Sequence, residues 1–175
     1  MKLKTTGVII SLLMILITLT GLVAASAAEK VNGNDGQSTI SVTLQQETSN
    51  SALKNTGEVS IASPIIMTGQ SKLSVTGKKI NFSTSTFTIP SVSCPLVQAT
   101  SELYYKKTQS SKEAFKISAF KQGTNVKKVE AKGFFIVKQS GYYQVIGHHR
   151  IVSPPGYKPS EAEDVTYSKW KYVSV

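Results

Sequence analysis

The chain has 175 residues, with 20 Lys and Arg against 10 Asp and Glu, a formal net charge of +10 and a single cysteine. One cysteine excludes an intramolecular disulfide and any multi-cysteine metal site, so a folded domain must hold together by packing. Almost all of the positive charge is lysine, which argues against bidentate reading of specific nucleic-acid bases and for looser attraction to a polyanion.

Lys2 and Lys4 precede the uncharged run GVIISLLMILITLTGLVA, Gly7 to Ala24, and AASAAE follows. Charge, apolar core and small-residue exit in that order are the signature of a secretory signal peptide, residues 1–27. Ala25 and Ala27 favour a cut after Ala27, and Ser26 and Ala28 allow one after Ala28. The apolar run is about 18 residues, near the lower limit for crossing a bilayer. The small-residue exit favours cleavage, so no stable transmembrane anchor is expected. The secreted chain of about 150 residues suits one domain with a real core.

Residues 28–56 read as a flexible lead with one strand over 39–45, where Ile40, Val42 and Leu44 alternate with Ser and Thr. Residues 57–175 read as a single domain. Val59 and Ile61 alternate, Ile65, Ile66 and Met67 follow Pro64, and Leu73 and Val75 alternate before the Thr76-Gly77 turn signal. Ile80 and Phe82 alternate in one parity and Phe87 and Ile89 in the other, which predicts a bulge or turn within Ser83 to Thr86. Val92, Cys94 and Leu96 read as one buried strand face, with Cys94 a structural, buried hydrophobe. Leu103 and Tyr105 alternate next.

Residues 110–123 admit two readings. Ser110 and Glu113 resemble a helix capping box, but Phe115, Ile117 and Ala119 alternate as in a strand, which fits better. Further strand signals fall at 126–137, 145–152 and 165–173. The short β-branched and aromatic runs between turn signals predict an all-β domain, a sandwich.

Gln139-Ser140-Gly141-Tyr142-Tyr143-Gln144-Val145 resembles the immunoglobulin-type corner Asp-x-Gly-x-Tyr-x-Cys, with Gly141 and Tyr143 in the glycine and tyrosine positions. Gln139 replaces the aspartate and Val145 the cysteine. The resemblance implies an immunoglobulin-like or related β-sandwich, with strand E at 132–137, F at 142–152 and G at 165–173. A twelve-residue loop, Ser153 to Asp164, would then join F to G, carrying Tyr157, Glu161, Glu163 and Asp164. More broadly the chain resembles small exported β-rich proteins of Gram-positive bacteria.

The chemistry-bearing residues are few. His148 and His149 are the only histidines, and on a strand they would face opposite ways, a surface His beside an inner one. No nucleophile elbow, phosphate loop or metal-binding cysteine pattern is present, so no catalytic residue, cofactor or metal is expected. Tyr104-Tyr105-Lys106 and Ser168 to Val173 each set aromatic rings beside lysine, a combination suited to sugar or phosphate. The candidate binding residues are His149, Arg150, Tyr157, Lys169 and Trp170. The expected function is a secreted, non-enzymatic binding protein attracted to an anionic cell-wall polymer or anionic membrane surface. A secreted antagonist of competitor cells is the alternative.

Overall fold

The computed structural model describes residues 31–32, 38–46 and 63–175. The signal peptide with its cut after Ala27 or Ala28, the Val59 and Ile61 alternation and most of the lead lie outside the described residues. Eleven strands and no helix are present among the described residues. They are β1 (Val31–Asn32), β2 (Ser38–Gln46), β3 (Ile65–Thr76), β4 (Lys79–Ile89), β5 (Cys94–Lys106) and β6 (Ala114–Val126), then β7 (Lys128–Ile136), β8 (Gly141–Val152), β9 (Tyr157–Lys158), β10 (Glu161–Tyr167) and β11 (Lys171–Val173).

The strands form two antiparallel sheets, as expected for a β-sandwich. The first has the order β1-β2-β3-β4-β7, with β9 also on β2. The second has the order β10-β8-β5-β6, with β11 also on β8. The chain makes the hairpin β3-β4, crosses to the second sheet for the hairpin β5-β6, returns for β7, and crosses again to β8. The strand expected at 39–45 is β2. It pairs with β3 from Ser38↔Ser71 to Leu44↔Ile65, and the Leu44 side chain is fully buried.

Period-two burial runs through the central strands. In β8, Tyr143, Val145, Gly147, His149 and Ile151 point inward and the residues between them outward. The apolar core falls into two clusters. One gathers Leu44, Ile65, Met67, Val97 and Ile151 with Cys94, which is buried as expected. The other gathers Leu73, Phe82, Leu103, Tyr143 and Val145. Tyr143 makes the corner contact: its hydroxyl donates to the Gln139 carbonyl at 2.9 Å, while its ring lies 5.0 Å from that of Tyr105. Gly141 is required by close approach, since a Cβ there would lie 2.4 Å from the Tyr105 ring and 2.8 Å from the Lys106 carbonyl oxygen.

Four local expectations need correction. No bulge interrupts β4, which stays in register with β3 from Ile66↔Ile89 to Thr76↔Lys79. Its inward positions carry Thr84, Thr86 and Thr88, all buried, and Phe87 turns outward. Residues 114–126 form a strand, the preferred reading, but the alternation within it breaks. The register steps between Leu103 and Tyr104, so that Leu103 faces Ile117 while Tyr104 faces Phe115. The extra residue, Lys116, puts Phe115 and Ile117 on opposite faces. Leu96 is only half-buried and shares the outward face with Gln98, while Val97 takes the buried position. The loop expected at 153–164 is shorter: β8 ends at Val152, β10 begins at Glu161, and the acidic residues lie on a strand.

Tyr143 is buried to 1% exposure and its hydroxyl bond is to a single backbone acceptor. Tyr143→Phe keeps the ring and removes the bond, so it is expected to lower unfolding free energy by about 1 kcal/mol. Urea denaturation of the two proteins measures this, and an unchanged midpoint refutes a stabilising corner.

Candidate functional site

Between the two apolar clusters lies a belt of polar side chains. His149 on β8 is 2% exposed. Its Nδ1 lies 2.9 Å from Thr86 Oγ1, and its Nε2 lies 2.8 Å from Thr166 Oγ1. Thr86 Oγ1 donates its proton to the Gln98 carbonyl at 2.7 Å, so it accepts from His149, and Nδ1 carries the hydrogen. Nε2 then accepts from Thr166. Thr166 in turn contacts Ser71 Oγ, which lies 3.2 Å from Thr84 Oγ1. The result is one directed chain from Thr84 through Ser71, Thr166, His149 and Thr86 to the Gln98 carbonyl, joining both sheets. Gly69 makes room for it, since a Cβ there would meet His149 Cδ2 at 2.5 Å. Burial, with a smaller contribution from neighbouring His148, lowers the His149 pKa from 6.5 to about 4. This ring is a neutral interior group, so His149 leaves the set of surface contact residues.

The outer face of the second sheet carries the exposed groups that sequence reading singled out. His148 is exposed, opposite in facing to His149 as adjacent strand residues must be. Register aligns Gln122, Gln98, Arg150 and Glu163 across β6, β5, β8 and β10. Gln98 Nε2 donates to Gln122 Oε1 at 3.0 Å, and Arg150 Nη1 donates to Gln98 Oε1 at 3.2 Å. Arg150 Nε pairs with Glu163 at 3.1 Å and with Glu161. The hydrogen bond from Arg150 holds the Glu161 carboxyl below its usual range, and Glu161 raises Arg150 in return. The neighbouring row is Phe120, Thr100, His148 and Val165. The two rows flank an open trench of about 570 Å³ lined by Gln98, Thr100, His148, His149, Arg150, Glu163, Asp164 and Val165. Glu102 Oε2 lies 3.4 Å from His148 Nε2 and accepts from the Tyr104 hydroxyl at 3.0 Å.

Farther along the same face the surface becomes aromatic. Tyr142 and Tyr172 meet edge to face at 5.1 Å, as do Tyr104 and Phe115 at 5.9 Å. Lys106 Nζ stands 4.1 Å over the Trp170 ring. The two aromatic-and-lysine elements noted in the sequence, one on β5 and one at the C-terminal end, are therefore brought together here. Trp170 and Arg150 share this face at opposite ends, and Lys169 is an exposed residue beside Trp170. Tyr157 is not part of it. Strand β9 pairs Tyr157 with Gln46 of the other sheet, and the ring packs against the core cluster around Leu44. Sequence reading missed Glu102, Gln98 and Phe120, because only the register reveals that they lie beside His148 and Arg150.

The outer face of the first sheet differs in charge. Lys72, Ser83 and Lys132 align in one row. Lys79 and Lys128 also point outward, over the rings of Phe134 and Phe87 at 4.7 and 5.7 Å. Glu130, paired with Lys132 at 2.9 Å, is the one carboxylate on β3, β4 and β7.

No protein-family model, curated protein or solved structure matches this chain.

Because the folded state holds His149 near pKa 4 and the unfolded chain near 6.5, acid favours the unfolded chain. Stability from this residue is complete above pH 6.5 and is lost as pH falls toward 4, by roughly 3 kcal/mol in all. Glu161, whose pKa is also lowered, loses its contribution only as pH falls through and below the ordinary carboxylate range. Urea melts between pH 7.5 and 4.5 are expected to show this slope in the native protein and its absence in His149→Gln. Equal slopes in both rule out the buried imidazole as its source.

Proposed function

We propose that this chain is a secreted, non-enzymatic binding protein of immunoglobulin-like architecture, drawn to an anionic polymer or anionic lipid surface of the cell envelope. The observation that carries this reading is the partition of charge between the two outer faces. Lys72, Lys79, Lys128 and Lys132 face outward from the first sheet against Glu130 alone, while on the second Lys106, Lys116, Lys121, Arg150 and Lys171 are nearly balanced by Glu102, Glu161, Glu163 and Asp164. A molecule so divided turns in the field of a polyanion and presents its lysine face. Lysine contributes hydrated point charges rather than fixed bidentate contacts, which suits a repeating phosphate or carboxylate polymer better than a base sequence.

Export is supported by the charged, apolar and small-residue order of residues 1–27. The immunoglobulin-like assignment is supported by the Tyr143 hydroxyl bond to Gln139. It is also supported by the order of β5, β6, β7, β8 and β10 across the two sheets, with β4 paired to β7 and β5 to β8.

On immobilised polyphosphate the protein is expected to bind at low salt and to elute well below 1 M, where the screening length is about 3 Å. Changing Lys72, Lys79, Lys128 and Lys132 together to Gln is expected to shift elution to markedly lower salt. Elution unchanged by these substitutions refutes the lysine face as the contact. In producing cells, wall-associated protein released by a salt wash supports the reading, and protein free in low-salt medium overturns it.

A further inference from the structure

The aromatic and polar face of the second sheet has no role in electrostatic attachment. Glu163 and Asp164 line its trench, Glu102 lies beside it against His148, and Arg150 is engaged by Glu161 and Glu163. Arg150, the one Lys or Arg in the trench lining, is already paired, so a polyanion gains little in the trench. An added peptide strand pairs along a sheet edge, whereas this trench opens on the outer face of the sheet, over β5, β8 and the edge strand β10. A lipid surface would have to bury the same carboxylates.

The chemistry left is that of a neutral polyhydroxy ligand. The trench sets donors, the Arg150 guanidinium and the Gln98 amide, beside the acceptors Glu163 and Glu102. A sugar hydroxyl both donates and accepts, so such a mixture satisfies vicinal hydroxyl pairs. Phe120, beside the trench opposite Thr100, and the rings farther along the same face supply the apolar surface against which the C–H face of a sugar ring stacks. Phe120 is 58%, Tyr172 56% and Phe115 53% exposed.

The backbone carries independent support. Phe115 and Phe120 are five residues apart, a spacing that puts them on opposite faces of a regular strand. The register step at Lys116 turns both to the outer face, opposite Tyr104 and Thr100. A bulge that re-aims an aromatic ring onto an exposed face works against solubility and for contact.

We propose that the outer face of the second sheet is a saccharide-binding face. A neutral glycan chain lies along β8, stacked on Tyr142, Tyr172 and Trp170 at one end and hydrogen-bonded to Gln98, Arg150 and Glu163 at the other. This site is independent of the lysine face, and the two fail separately.

The test is binding of the full secreted chain to immobilised neutral tetra- to hexasaccharides of chito-, cello-, xylo- and manno-type. It is run in about 1 M salt, where attraction between exposed charges is screened. At least one series is expected to bind. Tyr172→Ala and Phe120→Ser, both at exposed positions, are expected to weaken that binding about tenfold or more, the loss of a stacking anchor. Thermal unfolding of each variant confirms the fold, and Arg150→Gln provides a second, polar probe. The fourfold lysine variant is expected to bind the same sugar unchanged. Absence of binding across the series overturns the proposal. So does binding that the lysine variant loses and the aromatic variants keep, or capture of a protein partner by this face in place of any saccharide.

Discussion

Much of this molecule is arranged around a hydrogen-bonded imidazole at the centre of the sandwich. A sandwich interior is normally apolar throughout, and a polar group there is costly unless its partners are complete. Here the partners come from both sheets: Ser71, Thr84 and Thr86 from one, Thr166 and the Gln98 carbonyl from the other. Their geometry fixes how the sheets stack. A shift of either sheet along its strands breaks several bonds at once, whereas an apolar core tolerates sliding and repacking more readily. The glycine at 69 and the threonines of β4 follow from the same requirement for space and donors.

That constraint reaches the surface through strand alternation. With His149 held inward, His148 and Arg150 must point outward. Their neighbours across the register, Thr100 with Val165 and Gln98 with Glu163, are then fixed as well. The outer rows are ordered by an interior residue they never touch. The lysines of the other sheet belong to a different surface with a different charge, so a small domain offers two chemically distinct faces. One suits long-range attraction and the other close, hydrogen-bonded contact.

The sequence was readable where hydrophobic alternation and burial agree. The all-β class, β2, the strands around Leu103 and Val145, and the Tyr143 corner were legible for that reason. It was least readable in β4, where the buried residues are Thr84, Thr86 and Thr88 and the outward one is Phe87. Polarity there reports a hydrogen-bonded interior, and a pattern that equates apolar with buried reads it inverted. The β6 register step was equally hidden, since the alternation of Phe115 and Ile117 is what a regular strand would show. Of the surface residues, Arg150 and Trp170 were visible from charge and aromatic character. Gln98, Glu102 and Phe120 were not, because their meaning lies in cross-strand neighbours twenty or more residues away. The pairing of Tyr157 with β2 was hidden for the same reason.

Cys94 has a practical consequence. Its side chain has 0% exposure, and burial raises its thiol pKa, so little of the reactive thiolate is present and none is within reach of a reagent. Under oxidising conditions the folded protein neither cross-links with its neighbours through this thiol nor takes up small disulfides. The same thiol becomes reactive once β5 separates from β6 and the core around it opens. The chain thus carries a built-in chemical clock: the rate at which a thiol reagent consumes it counts openings of the sandwich, without a label having been introduced.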